Sequence, residues 1–346
     1  ESESQQMQRL MDNAVKVSAA DGLVYGKAPS AAQLATLTSD IVWMVETVVA
    51  GQKVLAPVVY LSQATRDALA SGGATIDTTN ANIAATTLEN TGGTIAGSGN
   101  LNVTTKGDIT NTSGTIKGGN VNLASTSGSI VNKTLATTHG DNLSAKTEIG
   151  KTAGIVATGS LSLDAKKDIS VVGANVSAGK DANLKAGGNV TVDTIVDKTT
   201  TSSSSSWDLG LIKSSTNNTT STEKNIGSNL NIGNNLTIKS GGDTTIAGST
   251  AKAGGDLNVD AGGSFNVLAR QDTTSTKTEK STSGLGVGGG LAGSEKTTTT
   301  TFDGKNVGST IEAGGNAKIN AAKDMTVQGS DVKVAGNADI NAKDGI

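Results

Sequence analysis

A repeat of about 20 to 21 residues runs from about Ile76 to the C-terminus, and it constrains the fold more than any other feature of the chain. Its unit is an apolar-polar-apolar triplet, a glycine-rich corner and a second triplet. Leu101-Asn102-Val103 recurs as Val121-Asn122-Leu123, and Leu236-Thr237-Ile238 recurs as Leu257-Asn258-Val259. Self-similarity at this period is typical of solenoids, in which each repeat packs on its neighbours.

Each triplet alternates apolar and polar residues, which places the aliphatic side chains on one face of a short strand. Such short strands hold together only if successive coils stack in register, about 4.8 Å apart. Aliphatic ladders then form inside the stack, and Asn and Thr ladders form outside. Glycine pairs such as Gly187-Gly188 and Gly241-Gly242 occupy corners, where a positive φ or a tight bend is needed. The sequence therefore predicts an all-β, right-handed parallel β-helix.

Two segments interrupt the repeat, at about residues 197–224 and 270–306. In each, a Thr/Ser-rich arm leads to a Gly-aliphatic tip, and a second Thr/Ser-rich arm returns. Because threonine favours strands, we predict two β-hairpin-like projections; a disordered Ser/Thr loop is the alternative. Trp207 lies near the tip of the first projection. An indole there is either exposed, where it could touch a membrane or a partner, or packed against the coil. Candidate residues for contact with a membrane or a partner are Trp207, Leu209, Leu211, Ile212, Leu285, Val287 and Leu291.

Residues 1–70 differ in character from the repeat region, residues 71–346. Apolar residues between Met7 and Ala14 follow helical spacing and predict a first helix. A capping-box pattern that begins at Ser30 predicts a short second helix. The N-terminal region is therefore expected to fold separately from the coil.

Two β-rich runs follow, Ile41 to Val49 and Val54 to Leu61, and they predict a hairpin. Ser62 to Leu69 predicts one further helical turn. Trp43 lies within the first run and is predicted to belong to the core of this module. We interpret residues 1–70 as an α+β cap or inter-domain module that covers the open end of the β-helix, where unpaired edges would invite aggregation.

Composition argues against several classes of function. The net charge is −3 and the basic residues are scattered, so no nucleic-acid partner is expected. The chain has no Cys and one His, His139, which we interpret as a surface loop residue. Asp168, Asp243 and Asp324 recur at similar corners, as turn-forming residues do. We expect no catalytic residue, no metal site and no cofactor, although converging carboxylates in a groove would indicate a carbohydrate-active enzyme.

The coil sequences, the Gly-Gly-Asp/Asn corners and the Thr/Ser-rich interruptions together resemble filamentous hemagglutinin repeats. Such repeats occur in large exoproteins of Gram-negative two-partner secretion. The segments Leu37 to Glu46 and Val54 to Leu61 look like the module before the second hemagglutinin-repeat region of contact-dependent growth inhibition toxins of the CdiA type.

This resemblance implies a non-enzymatic stalk and delivery segment of a secreted toxin, located at the Gram-negative cell surface or outer membrane. It implies as partners the rest of the same exoprotein with a C-terminal toxin domain, an outer-membrane transporter of the secreting cell, and the outer membrane of the target cell. The alternative is the shaft of a filamentous hemagglutinin-like adhesin that binds a host receptor or glycan. Because the chain starts at Glu1 and stops within a repeat at Ile346, we expect a segment of a longer protein.

Overall fold

The structure is a computed structural model that describes residues 3–49, 52–62 and 75–346. The chain folds as two compact units, residues 1–73 and residues 74–346.

The first unit combines two helices with one antiparallel hairpin. Its elements are α1 (Glu3–Asp21), α2 (Ala31–Thr36), β1 (Ile41–Val49) and β2 (Gln52–Tyr60). These elements confirm the two helices and the hairpin that the sequence predicts. The helical turn predicted from Ser62 to Leu69 lies outside the described residues, apart from Ser62 itself.

The second helix begins at the predicted cap. Ser30 Oγ accepts a hydrogen bond from Gln33 N at 3.2 Å, and Gln33 Oε1 accepts one from Ser30 N at 2.8 Å. This reciprocal pair satisfies backbone donors that the first turn of a helix leaves unpaired. The buried core of the unit is Ala14, Val17, Leu37 and Ile41. Trp43 packs against this core while its indole N–H donates to the carbonyls of Val24 and Lys27, so it lies at the edge of the predicted core.

The second unit contains a parallel β-helix, here called the coil, which is made of two sheets. The larger sheet has 16 strands: β3 (Thr75–Thr78), β4 (Ala81–Ala85), β6 (Thr94–Thr105), β8 (Thr115–Ser125), β12 (Gly154–Ala157), β13 (Leu161–Ala165), β15 (Asn175–Ala178), β16 (Ala182–Ala186), β20 (Asn229–Ile232), β21 (Leu236–Ser240), β23 (Thr250–Ala253), β24 (Leu257–Ala261), β28 (Thr310–Ala313), β29 (Ala317–Ala321), β31 (Asp331–Val334) and β32 (Ala338–Ala342). The smaller sheet has 8 strands: β5 (Leu88–Thr91), β7 (Ile109–Thr112), β9 (Ile130–Lys133), β14 (Ile169–Val172), β17 (Val190–Asp193), β22 (Thr244–Ala247), β25 (Phe265–Leu268) and β30 (Met325–Gln328).

The strand register confirms the repeat seen in the sequence. Ile95 lies opposite Ile116, and Leu101 lies opposite Val121, in neighbouring parallel strands. Each coil contributes two strand segments to the larger sheet and one to the smaller sheet, and β6 and β8 run continuously through the bend between the first two segments. The parallel β-helix with about 20 to 21 residues per coil is thus confirmed.

Aliphatic ladders fill the interior of the coil. Ile116, Ile155 and Leu184 are all 0% exposed, and each stacks on an equivalent side chain of the next coil. Full burial of such a side chain contributes about 1.5–3 kcal/mol relative to exposure. Stability of the coil is therefore distributed over many single aliphatic residues rather than concentrated in one aromatic core.

One interior ladder is polar, which the sequence did not predict. Asn90, Asn111 and Asn132 are buried in the smaller sheet, at 6%, 0% and 1% exposure. Asn90 Nδ2 donates to Asn111 Oδ1 at 2.7 Å, and Asn111 Nδ2 donates to Asn132 Oδ1 at 2.8 Å. The expectation that Asn ladders lie outside is wrong here. An amide that stacks on the amides of neighbouring coils finds a hydrogen-bond partner for both its N–H and its C=O, so it can be buried. The expectation is right for Asn102, whose Nδ2 donates to exposed Asn82.

The corner glycines are required mostly for space rather than for a positive φ. A Cβ on Gly187 would lie 2.2 Å from Lys166 O, and a Cβ on Gly241 would lie 2.1 Å from Gly187 O. Neither glycine has a positive φ. At these corners the backbones of successive coils touch, so any side chain would separate the coils.

Candidate interaction surface on the hairpin sheet

Three antiparallel hairpins leave the coil, one more than the sequence predicted. They are β10 (Ala136–Gly140) with β11 (Ala145–Ile149), β18 (Ile195–Asp208) with β19 (Ile212–Ile226), and β26 (Arg270–Leu285) with β27 (Ala292–Val307). The two long hairpins confirm the predicted projections. The short one was missed because its arms lack a long Thr/Ser run. His139, expected in a surface loop, is exposed but lies on β10.

All three hairpins leave the coil at the same corner, directly after a strand of the smaller sheet. β9, β17 and β25 precede a hairpin, whereas β14, β22 and β30 lead straight into the next coil. In coils without a hairpin the corner residue is left-handed, with φ between 49° and 66°: Gly92, Ser113, Gly173, Gly248 and Gly329. Thr134, Thr194 and Ala269 stand at the same corner before the hairpins. Thr and Ala disfavour a positive φ. At these positions the chain does not turn into the next coil but continues away from the coil as the first arm of a hairpin.

From β9 onward, therefore, a hairpin leaves at every second coil. Two coils advance about 9.6 Å along the stack, and the two strands of a hairpin occupy about the same width. Neighbouring hairpins consequently come within pairing distance: β11 pairs with β18, and β19 pairs with β26. The result is one six-stranded antiparallel sheet in the order β10-β11-β18-β19-β26-β27, here called the hairpin sheet.

Hydroxyl and amide side chains line both faces of the long arms. On one face Thr220 Oγ1 and Thr276 Oγ1 are 3.2 Å apart, and on the other Ser202 Oγ and Thr219 Oγ1 are 3.0 Å apart. These cross-strand pairs act together with the backbone ladder, and each contributes less than a buried aliphatic residue does. The hairpin sheet thus has no aliphatic ladder comparable to those of the coil.

Polar contacts at the base hold the two long hairpins side by side. Arg270 Nε donates to Asp193 Oδ1 at 2.8 Å, and Arg270 Nη2 pairs with Asp193 Oδ2. Asp193 ends the strand before the second hairpin, and Arg270 begins the third. Asn225 N donates to Asp272 Oδ1 at 2.7 Å, which links the same two hairpins. The bases are therefore fixed relative to each other by charged and amide groups.

The tips of the two long hairpins lie together, which brings the predicted contact residues into one place. Leu285 N donates to Leu211 O at 3.0 Å across the two tips. Leu209, Leu211 and Leu291 are 77%, 67% and 92% exposed. We call the full set the tip cluster: Trp207, Leu209, Leu211, Ile212, Leu285, Val287 and Leu291. The sequence placed these residues on two separate projections and did not reveal that the two tips lie side by side.

A charged pair flanks the apolar residues of the first tip. Gly210 N donates to Asp208 Oδ1 at 2.8 Å, and Lys213 Nζ lies 3.0 Å from Asp208 Oδ2. The Gly210 N–H and the Lys213 ammonium together lower the pKa of Asp208. Trp207 precedes this pair on β18 and is 51% exposed. The tip therefore presents leucine side chains and an indole beside a fixed carboxylate and ammonium.

A groove on the coil does not bring carboxylates together. Its volume is about 520 Å³, and its lining includes one carboxylate, Asp164, whose Oδ2 is 3.1 Å from Lys185 Nζ. The corner carboxylates of Asp168 and Asp243 each accept a backbone N–H of the next coil at 2.7 Å. Glycoside hydrolysis by the usual mechanism needs two carboxyl groups that face one substrate. The groove and these corners offer no such pair.

Within residues 3–49, 52–62 and 75–346, no cluster of three or more His, Cys, Asp or Glu has the geometry to hold a metal ion. In the same part of the chain, no helix has the length and apolar character needed to cross a membrane.

Comparison with known proteins identifies relatives of the repeat region. The family model for the hemagglutinin repeat matches residues 124–208, 209–304 and 289–346. Filamentous hemagglutinin of Bordetella pertussis is 53% identical over 72 residues, which cover 20% of this chain and 2% of that protein. A tRNA nuclease CdiA of Escherichia coli strain STEC_O31 is 34% identical over 110 residues, 32% of this chain and 3% of that protein.

A longer match is to a tRNA nuclease CdiA of Escherichia coli strain NC101. It is 26% identical over 221 residues, which cover 55% of this chain and 7% of that protein. The chain therefore spans only a small part of the length of the curated relatives it matches. No solved structure matches the chain.

Proposed function

This chain belongs to the hemagglutinin-repeat family, and on that premise we propose that it is a non-enzymatic stalk and delivery segment of a secreted contact-dependent growth inhibition toxin. The coil provides the support, and the tip cluster provides the contact with the target. The observation that carries this proposal is the pairing of two hairpins into one sheet that presents a single exposed apolar cluster.

The relatives support a structural role for this region within a larger exoprotein. Nuclease activity is part of the names of some CdiA relatives, of which the chain matches only 3% or 7%. The proposed partners are the rest of the same exoprotein with its C-terminal toxin domain and an outer-membrane transporter of the secreting cell. The proposed location is the surface of a Gram-negative cell.

The tip cluster has the chemistry of a contact with an apolar surface. Leu211 and Leu291 are large aliphatic residues that leave 67% and 92% of their surface exposed. Transfer of these side chains from water into an apolar environment is favourable by about 25 cal/mol for each Å² of apolar surface that becomes buried. Trp207 adds a side chain that is suited to the boundary between apolar and polar surroundings. We propose the outer membrane of the target cell as the surface that the tip cluster touches.

A second candidate function is the shaft of an adhesin that binds a host receptor or glycan. The 53% identity to filamentous hemagglutinin over 72 residues favours it. In this case the tip cluster, or the Thr- and Ser-rich arms below it, would contact a host molecule instead of a bacterial membrane.

Cell-binding measurements with matched variants test both candidates. The purified chain is labelled and incubated with Gram-negative cells, with vesicles of outer-membrane lipid, and with host epithelial cells. The test variant replaces Leu209, Leu211 and Leu291 by Ser. The control, Leu143→Ser, changes a leucine that is 60% exposed near the turn of the short hairpin, away from the tip cluster.

Delivery predicts that the triple variant loses about tenfold or more of its binding to bacteria and vesicles, while Leu143→Ser binds normally. Loss confined to host cells would support the adhesin shaft instead. Equal binding of the triple variant and the unmodified chain to every surface would rule out a contact role for the tip cluster.

A further inference from the structure

The charged groups near the tips of the two long hairpins balance each other. Ser204, Asn217, Glu279 and Thr298 form one row across the four long arms. From this row to the tips, the arms contain three carboxylates and three lysine ammonium groups. Clusters of Lys or Arg attract anionic lipids, whereas a region without net charge gains nothing from them. The tips therefore lack the charge that recognition of anionic headgroups requires.

An ion pair lies directly below the leucines of the first tip. Asp208 and Lys213 are opposite each other in β18 and β19, and they are the last residue pair before the turn that contains Leu209 and Leu211. One residue of a strand advances about 3.4 Å, so the ion pair lies about that far below the apolar tip. Transfer of charged groups from water into hydrocarbon is costly. The ion pair therefore limits the depth to which the tip can enter an apolar layer.

The arms below the ion pair are polar as well. Hydroxyl side chains line both of their faces, as the pairs Ser202–Thr219 and Thr220–Thr276 show. A hydroxyl group that enters hydrocarbon loses its hydrogen bonds to water. Trp207 lies one residue farther from the tip than the ion pair and is 51% exposed. An indole at this level would lie among the headgroups of a lipid surface when the leucines touch the acyl chains.

Building on the proposed membrane contact of the tip cluster, we propose that the two tips form a shallow lipid anchor, which recognises the acyl boundary of a lipid surface and not the charge of its headgroups. The leucine side chains of the tip cluster enter the outer part of the acyl region. Trp207 stays among the headgroups, and the ion pair between Asp208 and Lys213 stays in contact with water. Any lipid surface with accessible acyl chains fits this anchor, whether its headgroups are neutral or anionic.

Vesicle binding measures the lipid selectivity of the full chain. One set of vesicles consists of phosphatidylcholine, and the other also contains the anionic phosphatidylglycerol. We expect the two affinities to agree within about twofold and to change by less than about twofold between low and high salt, because the tips offer no net charge that salt could screen. Binding that is tighter to the anionic vesicles by about tenfold or more, or that is lost at high salt, would overturn the proposal.

The fluorescence of Trp207 measures the depth of the contact. Trp43 is the other tryptophan of the chain, so Trp207→Phe gives the background signal. Lipids that carry bromine close to the headgroup should quench Trp207 more strongly than lipids brominated near the end of the acyl chain. The reverse order would mean deep insertion and would contradict a shallow anchor.

Two double variants test whether the ion pair limits the depth. Asp208→Leu with Lys213→Leu removes the pair below the tip. Lys198→Leu with Glu223→Leu is the matched control, because it removes a cross-strand pair of the same 3.0 Å separation near the base of the same hairpin. The first variant should move the strongest quenching toward the chain ends, and the control should not. Hydrogen exchange across β18 and β19 checks that both retain the hairpin sheet, and an unchanged depth in the first variant would contradict the limit.

Vesicle binding and cell binding can fail independently. If the unmodified chain binds bacteria through Leu209, Leu211 and Leu291 but binds neither kind of vesicle, the tips contact another component of the cell surface. The shallow lipid anchor is then wrong, while the delivery role stands. If the chain binds both kinds of vesicle equally but does not bind bacteria, the lipid anchor stands and the delivery role is wrong.

Discussion

The coil and the hairpin sheet are two β-structures that one chain stabilises in opposite ways. In the coil, side chains such as Leu184 are fully buried, and Leu184 stacks between Leu163 and Ile238 of the neighbouring coils. In the long arms of the hairpin sheet, hydroxyl side chains line both faces, and the cross-strand contacts are hydrogen bonds and exposed ion pairs. An isolated hairpin of this composition would be marginal in water. A sheet that is polar on both faces can therefore persist when another structure holds its strands in register.

Two features of the coil provide this register. The hairpins leave at every second coil, so the spacing of their bases matches the width of two strands. The contact between Arg270 and Asp193 then fixes neighbouring bases. The hairpin sheet should therefore respond to changes at its bases and to charge, whereas the coil should respond to loss of buried volume.

Loss of one buried aliphatic side chain should produce the largest difference. Leu184→Ala removes a fully buried side chain from the coil and should cost about 2–5 kcal/mol in the unfolding free energy. Thr220→Ala, its counterpart in the hairpin sheet, removes one hydroxyl contact and should cost about 1 kcal/mol or less. Denaturant unfolding followed by far-UV circular dichroism measures both. Equal costs would contradict the distinction between the two regions.

Removal of the base contact should give a smaller and more local effect. Arg270→Gln breaks the partly exposed pair with Asp193 and should lower the opening free energy of the long arms by about 1 kcal/mol or less. Hydrogen exchange should accelerate in β18, β19, β26 and β27 and stay unchanged in the coil. Lys198→Gln, which breaks a more exposed pair with Glu223 in the same sheet, is the matched control and should change less. Faster exchange in the coil itself would contradict a role limited to the hairpin bases.

A change of pH should give the smallest effect, again confined to the hairpin sheet. Lys277, followed by Lys296, lowers the pKa of Glu279. A lowered pKa stabilises the folded sheet above the unfolded value of about 4.3, and this contribution is lost as the pH falls through the folded value. Exchange rates in β26 and β27, corrected for intrinsic pH dependence, should therefore rise between about pH 5 and pH 3. A Glu279→Gln variant that retained the full rise would show that another group is responsible.

Most of the coil could be predicted from the sequence, because its inward positions carry a signal that repeats. Leu101 and Val121 show the period, and the alternation around them shows which side faces inward. The buried ladder of Asn90, Asn111 and Asn132 broke that rule, although its constant spacing of 21 residues was visible. An alternation of apolar and polar residues cannot distinguish an Asn that stacks inside from one that stacks outside.

The hairpin sheet was harder to predict because its arms carry no inward face. Strands that are polar on both sides specify their neighbours and register weakly, so nothing in the arms indicated that β19 pairs with β26. A usable signal lay at the corners instead. Thr134 stands where Gly173 and Gly248 allow a left-handed turn, and this substitution could have revealed the short hairpin. The assembly of the tip cluster depended on the missing pairing and could not be anticipated without it.

The alternation of plain coils and coils with a hairpin has an evolutionary consequence. Deletion of the single coil that contains β22 would place two hairpins on adjacent coils. The four strands of these hairpins would not fit side by side, because two adjacent coils provide only the width of two strands. Duplication of a single coil would separate neighbouring hairpins and expose two new edges. Viable gains and losses should therefore occur as pairs of coils together with one hairpin. In genes that encode this architecture, the segment that is duplicated or lost should therefore encode two coils and one hairpin, which is longer than the 21-residue period of the repeat.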